Sequence, residues 1–198
     1  METLDTRKLI GELQAVLQEQ IAQVGSLLEL DLADLSTRPD PDRWSVLEIA
    51  EHMNLSSGHY LRLLQKVYSD PGSSIVFKET FVPGRVGEMS VKAMRPTAEG
   101  KINWKMRTLG IFEPRTASTK GKTALEELRS MLEGFMALLE QAKVRGLEGE
   151  RITSTLGPIL RFRIGDAFRF PIAHQQRHFM QIDRTLQWIG VSADRQRA

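Results

Sequence analysis

The chain has 198 residues, of which 41% are hydrophobic, and its 27 basic and 25 acidic residues give a formal net charge of +2. It contains no cysteine, which excludes disulfides, iron–sulfur clusters, thiolate zinc sites and a cysteine nucleophile. Its basic residues are scattered, and it has neither an apolar run long enough to span a bilayer nor an apolar signal core, so we expect a cytoplasmic protein that binds neither nucleic acid nor membrane.

The first predicted element is an amphipathic helix over residues 6–30, because apolar residues recur there at steps of three or four. These residues are Ile10, Leu13, Leu17, Ile21, Val24 and Leu28. After a loop rich in Pro and Asp, Ser45 and Glu48 have the spacing of a capping box. This pattern predicts a second helix from Ser45 to about Tyr68, with His52 beside its apolar face.

Residues 69–122 show no strong periodicity and contain six glycines and four prolines. A connection this long is uncommon in a compact domain. A crossover between helices at opposite ends of a bundle would account for it, and we therefore treat residues 1–198 as a single domain with an insert at about 69–122. The apolar stretches 75–81 and 102–112 are expected to form short helices or irregular extended pieces.

Two further helices are predicted. Thr123 and Glu126 form a second capping-box pattern that opens the third helix, and Gly146 ends it. Residues 147–165 are expected to form a loop. Asp166 is the predicted N-cap of the fourth helix, which contains Pro171, continues to about Ile189 and ends at Gly190.

The fourth helix carries His174 and His178, and a spacing of four residues places both imidazoles on one helical face. Such a pair can ligate a metal ion, although the same spacing also occurs in solvated helix faces. Four amphipathic helices with one long crossover indicate an all-α four-helix bundle. If the second helix packs beside the fourth, His52 can meet the pair.

Three neutral imidazoles can hold zinc, nickel or iron as a divalent ion and leave a coordination position open for water or substrate. Gln175 and Gln181 are candidates to orient the histidine rings. His59 is either an outer group of this site or an ordinary hydrogen-bonded histidine near the crossover. No carboxylate lies within a turn of the histidine pair on its own face, so no catalytic residue is assigned.

The motif Trp44-Ser-x-x-Glu-Ile-x-Glu-His52, followed by His174-x-x-Arg-His178-x-x-Gln181, resembles the DinB-like (DinB/YfiT) superfamily. The resemblance covers nearly the whole chain in order. It implies an up-down-down-up bundle and a divalent-metal site at His52, His174 and His178. Relatives often carry Glu directly after the first histidine of the pair, where this chain has Gln175, and this difference leaves a general base unassigned.

The resemblance also implies a homodimer and an activity such as transfer of a low-molecular-weight thiol, isomerisation of thiol adducts, or hydrolysis. We therefore expect a metal-dependent enzyme, a thiol S-transferase or a hydrolase, that acts on a small molecule. Two alternatives remain at this point. The chain could be a metal-binding helical module without catalysis, or a dimeric interaction module whose histidines only pack.

Overall fold

A computed structural model describes residues 3–97 and 108–191 of the chain. Four long helices form a bundle, and the other elements are short. The long helices are α1 (Thr6–Leu28), α3 (Val46–Ser69), α6 (Thr123–Arg145) and α7 (Ile164–Trp188). The short elements are α2 (Leu32–Ser36), α4 (Arg85–Met94), α5 (Ala117–Lys120), a 3-10 turn (Gly110–Phe112) and the strands β1 (Leu4–Asp5), β2 (Thr80–Phe81), β3 (Arg151–Ser154) and β4 (Gly157–Arg163).

Contacts along the helices give their relative directions. α1 and α6 are antiparallel, because the Lys122 ammonium at the start of α6 donates to the Leu28 carbonyl at the end of α1. α3 and α6 are parallel, because Asn54 near the start of α3 donates to the Ala124 carbonyl, and the Tyr68 hydroxyl at its end donates to the Gly146 carbonyl.

α3 and α7 are antiparallel, since the early His52 contacts the late His178, whereas the late Tyr68 contacts the early Phe168. The order of directions is therefore up-down-down-up, as predicted. Two parallel helices joined in sequence need a connection that runs the length of the bundle, which is the role of the segment between α3 and α6.

Within that segment, β2 pairs with β1 in an antiparallel register that joins Leu4 to Phe81, and α4 packs against α7. The stretch 75–81 is extended, which is one of the two forms expected for it from the sequence. Residues 102–107 of the second apolar stretch lie outside the described residues. None of the described helices is both long and apolar enough to cross a membrane.

Helix boundaries agree with the predictions within two residues, but two predicted caps are wrong. The capping box of Ser45 and Glu48 forms as expected. At α6 the N-cap is Lys122, without a side-chain cap bond. Asp166 is the third residue of α7 rather than its N-cap, and its carboxylate instead accepts from the Gly84 backbone amide at 2.7 Å.

The prediction of a loop over residues 147–165 is also wrong, because β3 and β4 form an antiparallel hairpin there. Its register joins Ile152 to Phe162 and shifts between Thr153 and Ser154. The inward side chains Ile152 and Phe162 are buried, and Phe162 stacks on Tyr60 of α3 at 6.1 Å. The hairpin therefore packs on α3 and α7 near the histidines.

Candidate metal centre

His52, His174 and His178 lie together at the seam between α3 and α7. Ring centroids are 5.3 Å apart for His52 and His174, 4.7 Å for His52 and His178, and 4.4 Å for His174 and His178. One ring nitrogen from each residue lies within 4.8 Å of the other two. The three residues converge as the helical spacing predicted, because antiparallel packing brings the start of α3 beside the second half of α7.

Hydrogen bonds determine which nitrogens of two of these rings are free. His52 Nδ1 lies 2.8 Å from the Phe112 carbonyl oxygen, and His178 Nδ1 lies 2.9 Å from Gln181 Oε1. Both partners can only accept, so each Nδ1 carries the proton and each Nε2 keeps its lone pair. His178 Nε2 is 3.1 Å from His174 Nε2.

The imidazoles are held in the neutral form. Burial, followed by the charges of His52 and Arg177, lowers the pKa of His174 to about 3. Burial also places the pKa of His178 well below its ordinary value. For His52, burial lowers the pKa, and its bond to Phe112 opposes that effect. Neutral imidazoles are the form that ligates metal ions.

Aromatic rings surround the histidines and restrict their orientation. Trp44, directly before the N-cap of α3, lies 5.0 Å from the His52 ring. Phe170 stacks on His174 at 6.2 Å with an interplanar angle of 12°. Together with the hydrogen bonds that the histidines donate to the Phe112 carbonyl and to Gln181 Oε1, these contacts fix the rings before any ligand binds.

A cavity of about 90 Å³ adjoins the imidazoles. Its walls come from α3, α7, the end of α4, the 3-10 turn and the tip of the β3–β4 hairpin. The described lining residues include no carboxylate and are His52, Ser56, Ser57, Tyr60, Met94, Thr108, Leu109, Phe112, Thr155, Leu156, Phe170, Pro171, His174, Arg177 and His178.

The other predicted site residues have different outcomes. Gln181 contacts His178, as proposed for an orienting residue. Gln175 does not, because it is buried and neither amide atom has a hydrogen-bond partner among the described residues. His59 lies outside the cluster, with Nε2 3.0 Å from the Thr153 carbonyl of the hairpin. Of the two roles expected for His59, the structure shows the ordinary hydrogen-bonded histidine and not an outer group of the site.

Sequence reasoning missed the Phe112 carbonyl and the hairpin tip. The acceptor for His52 is a backbone carbonyl 60 residues away. Every residue type has such a carbonyl, so the sequence does not show which one accepts. The hairpin does leave a weak mark, since the buried Ile152 and Ser154 alternate with the less buried Arg151 and Thr153, and Gly157 follows. A four-residue strand is too short for that alternation to be distinguished from a loop.

A family model for the DinB superfamily matches residues 17–182. That span contains all three histidines and all four long helices, at least in part. The chain belongs to the DinB superfamily. No curated protein matches it significantly.

Among solved structures, the chain is similar to YfiT from Bacillus subtilis, described as "a probable metal-dependent hydrolase with an unusual four-helix bundle topology". The TM-score is 0.58 at 13% sequence identity, over 92% of this chain and 89% of the other. At that identity the similarity concerns the fold, and it agrees with the bundle described above.

Proposed function

We propose that this protein is a metal-dependent enzyme that holds one divalent ion through His52, His174 and His178. The observation that carries the proposal is the convergence of three neutral imidazoles, two of them with Nδ1–H donated away from the cluster. Lone pairs that face one another repel unless a proton or a cation lies between them. The donor set suits zinc or nickel, and also divalent iron.

When bound, such an ion would act as a Lewis acid and lower the pKa of a water or thiol ligand. The protein residues would orient the imidazoles and shape the cavity. The Phe112 carbonyl and Gln181 hold two of the rings in their metal-binding tautomer. Phe170, Leu156 and Leu109 give the cavity apolar walls, and polar contacts beside apolar walls are stronger than the same contacts in bulk water.

Hydrolysis is the reaction we propose first. The structural similarity to a protein described as a probable metal-dependent hydrolase supports it. Transfer of a low-molecular-weight thiol is the second candidate, and one observation favours it. The described residues lining the cavity include no carboxylate to serve as a general base, and a thiol, with an ordinary pKa near 8.5, needs less help to ionise than water does.

Metal analysis of the purified protein tests the metal site. We expect about one divalent ion per chain in the wild type and almost none in His178→Ala. The matched control is His59→Ala, because His59 lies on the same helix as His52 but outside the cluster, so this variant should keep its ion. A wild-type protein that carries no metal, and gains no thermal stability from added zinc or nickel, would refute the proposal.

Activity assays then separate the two reactions. Metal-loaded wild type and His178→Ala would be compared on ester and amide panels, and on electrophiles with and without added thiol. Turnover without thiol supports the hydrolase, and turnover that requires thiol supports the transferase. A metal-loaded protein inactive in both panels would favour the non-catalytic module. The homodimer stays a prediction, and light scattering would test it.

A further inference from the structure

A second depression lies directly beside the candidate metal centre. We call it the arginine–tryptophan groove. Its described lining residues are Pro39, Asp42, Arg43, Trp44, Thr108, Arg177, His178, Gln181, Arg184, Thr185, Gln187 and Trp188. Thr108, Arg177 and His178 also line the cavity. His178 therefore lines both spaces, and the cavity and the groove are adjacent along these shared residues.

The cavity beside the histidines is small, so most of a larger substrate has to lie outside it. A volume of about 90 Å³ holds roughly six to nine groups the size of a water molecule, since each needs roughly 10–15 Å³. A substrate larger than a small fragment must extend beyond the cavity. The groove shares three lining residues with it, and is therefore the adjacent space for the remainder of the substrate.

The groove is cationic. Three arginines, Arg43, Arg177 and Arg184, line it, and Asp42 is its one carboxylate among the described residues. Three guanidinium groups are thus gathered along one groove beside the histidines. Such a groove attracts anionic ligands.

Arg177 links the groove to the metal centre. It is half-buried, one of its guanidinium nitrogens lies 4.0 Å from Met94 Sδ, and its charge contributes to the low pKa of all three histidines. A guanidinium this close to the imidazoles would repel a divalent ion bound there. An oxyanion placed between them is attracted to both, and guanidinium binds carboxylate and phosphate in a matched planar geometry.

The outer end of the groove presents an aromatic surface. Trp188 is 63% exposed, although large aromatic side chains are usually buried. The Arg43 guanidinium lies over it, 4.7 Å from the ring centroid. Trp44, which packs against His52, lines the inner end. Two indoles and an arginine plane along one groove favour a ligand with a flat unsaturated part.

We propose that the arginine–tryptophan groove is the second part of the substrate site and binds a small molecule that carries a carboxylate or phosphate next to a planar group. The oxyanion contacts Arg177, the planar group lies along Trp44 and Trp188, and the reactive end reaches the cavity. This assignment rests on the proposed function only for the reaction. Binding in the groove itself does not require the metal.

The test uses metal-free, ¹⁵N-labelled full-length protein titrated with benzoate, phenyl phosphate and neutral benzamide. The readout is the indole N–H resonance of Trp188 and Trp44, assigned through Trp188→Phe and Trp44→Phe. We expect both indole signals to move with the anions, and benzamide to bind at least about tenfold more weakly because it lacks the charge. Binding of both anions, or of one, supports the proposal and identifies the preferred oxyanion.

Arg177→Gln should weaken anion binding about tenfold. The control, Arg129→Gln, changes an exposed arginine on α6 that pairs with Glu133 and should have no effect. Indole signals that stay fixed with both anions, equal binding of benzamide, or unchanged binding in Arg177→Gln would each overturn the proposal. Because metal content is measured separately, failure of the groove leaves the metal proposal intact, and the converse also holds.

Discussion

Two buried polar clusters lie on α7, and their chemistry is opposite. In the first, Arg169 donates to Asp166 at 3.0 Å and to Glu88 of α4 at 2.7 Å, so each charge has a counter-charge. In the second, His178 Nε2, which keeps its lone pair, lies 3.1 Å from His174 Nε2. The charges of the first cluster are paired without a ligand, and the cluster joins α4 to α7. The second is completed only by a cation or a shared proton.

This difference shows how a structural polar cluster can be distinguished from a functional one. Asp166 and Arg169 are nearly as inaccessible as the core, with 0% and 6% exposure, and their charges are paired within the protein, although Arg169 Nε has no hydrogen-bond partner among the described residues. The histidines have a cavity beside them and hydrogen bonds that direct lone pairs inward. Burial of ionisable groups alone does not identify a site, whereas unsatisfied bonding capacity beside a cavity does.

The largest expected effect comes from breaking the charge-paired cluster. Arg169→Met leaves Asp166 and Glu88 without their shared counter-charge, and we expect the free energy of unfolding to fall by about 3 kcal/mol. Urea denaturation measures it. The exposed control Arg129→Met should lose less than about 1 kcal/mol, and zinc bound per folded chain should stay unchanged in both. Equal small losses would mean that the buried cluster has no structural role.

The histidine cluster should respond to pH instead. In the metal-free protein its folded pKa values lie below the ordinary 6.5, and that of His174 is about 3, so the unfolded chain binds more protons once pH falls below 6.5. Stability is therefore present above that pH and is lost as pH falls toward 3, by about 1.4 kcal/mol per pH unit for each histidine that stays neutral.

His174→Gln removes one group that takes up a proton on unfolding. Between pH 6 and pH 4, the slope of the free energy of unfolding against pH should therefore fall by roughly 1.4 kcal/mol per pH unit. Denaturation of the metal-free wild type and the variant at several pH values measures the difference. Identical slopes would show that the folded protein accepts a proton on His174, and would weaken the argument for a preformed set of neutral ligands.

The smallest expected effect concerns two neighbouring serines that both line the cavity. Ser56 Oγ donates to the His52 carbonyl at 2.8 Å, whereas the buried Ser57 Oγ has no hydrogen-bond partner among the described residues. Ser57→Ala should therefore be more stable than Ser56→Ala by about 1 kcal/mol. Comparing two alanines cancels their common helix propensity. Equal stability would indicate that the Ser57 hydroxyl is already satisfied.

The sequence predicted what local periodicity controls. Helix extents, the crossover and the three histidines follow from spacing and from the packing of amphipathic helices. Asp166 was misassigned because its partner, the Gly84 amide, comes from a distant segment. Thr123 resembled a cap, but the chain enters α6 through Gly121 at φ 55 and Lys122. The capping-box spacing at Thr123 is the same as that at Ser45. The two helix starts differ in the backbone that precedes them, and only Ser45 becomes an N-cap.

The residues of the site also divide into those that could be predicted from the sequence and those that could not. Its three histidines lie on helices, where about four residues make one turn, and their proximity could be predicted. The groups that orient and enclose them come partly from the crossover and the hairpin. Phe112 contributes a carbonyl rather than a side chain, and Thr155 and Leu156 reach the cavity through a turn. Long-range placement of this kind depends on how loops pack, which residue spacing does not encode.

X-ray absorption spectroscopy of the zinc-loaded protein tests the central claim most directly, because it counts the nitrogens around the ion. We predict three imidazole nitrogens at about 2.0–2.1 Å and at least one oxygen, with one imidazole fewer in His52→Ala. A wild-type spectrum with two imidazoles or fewer, or a spectrum unchanged in His52→Ala, would contradict the account.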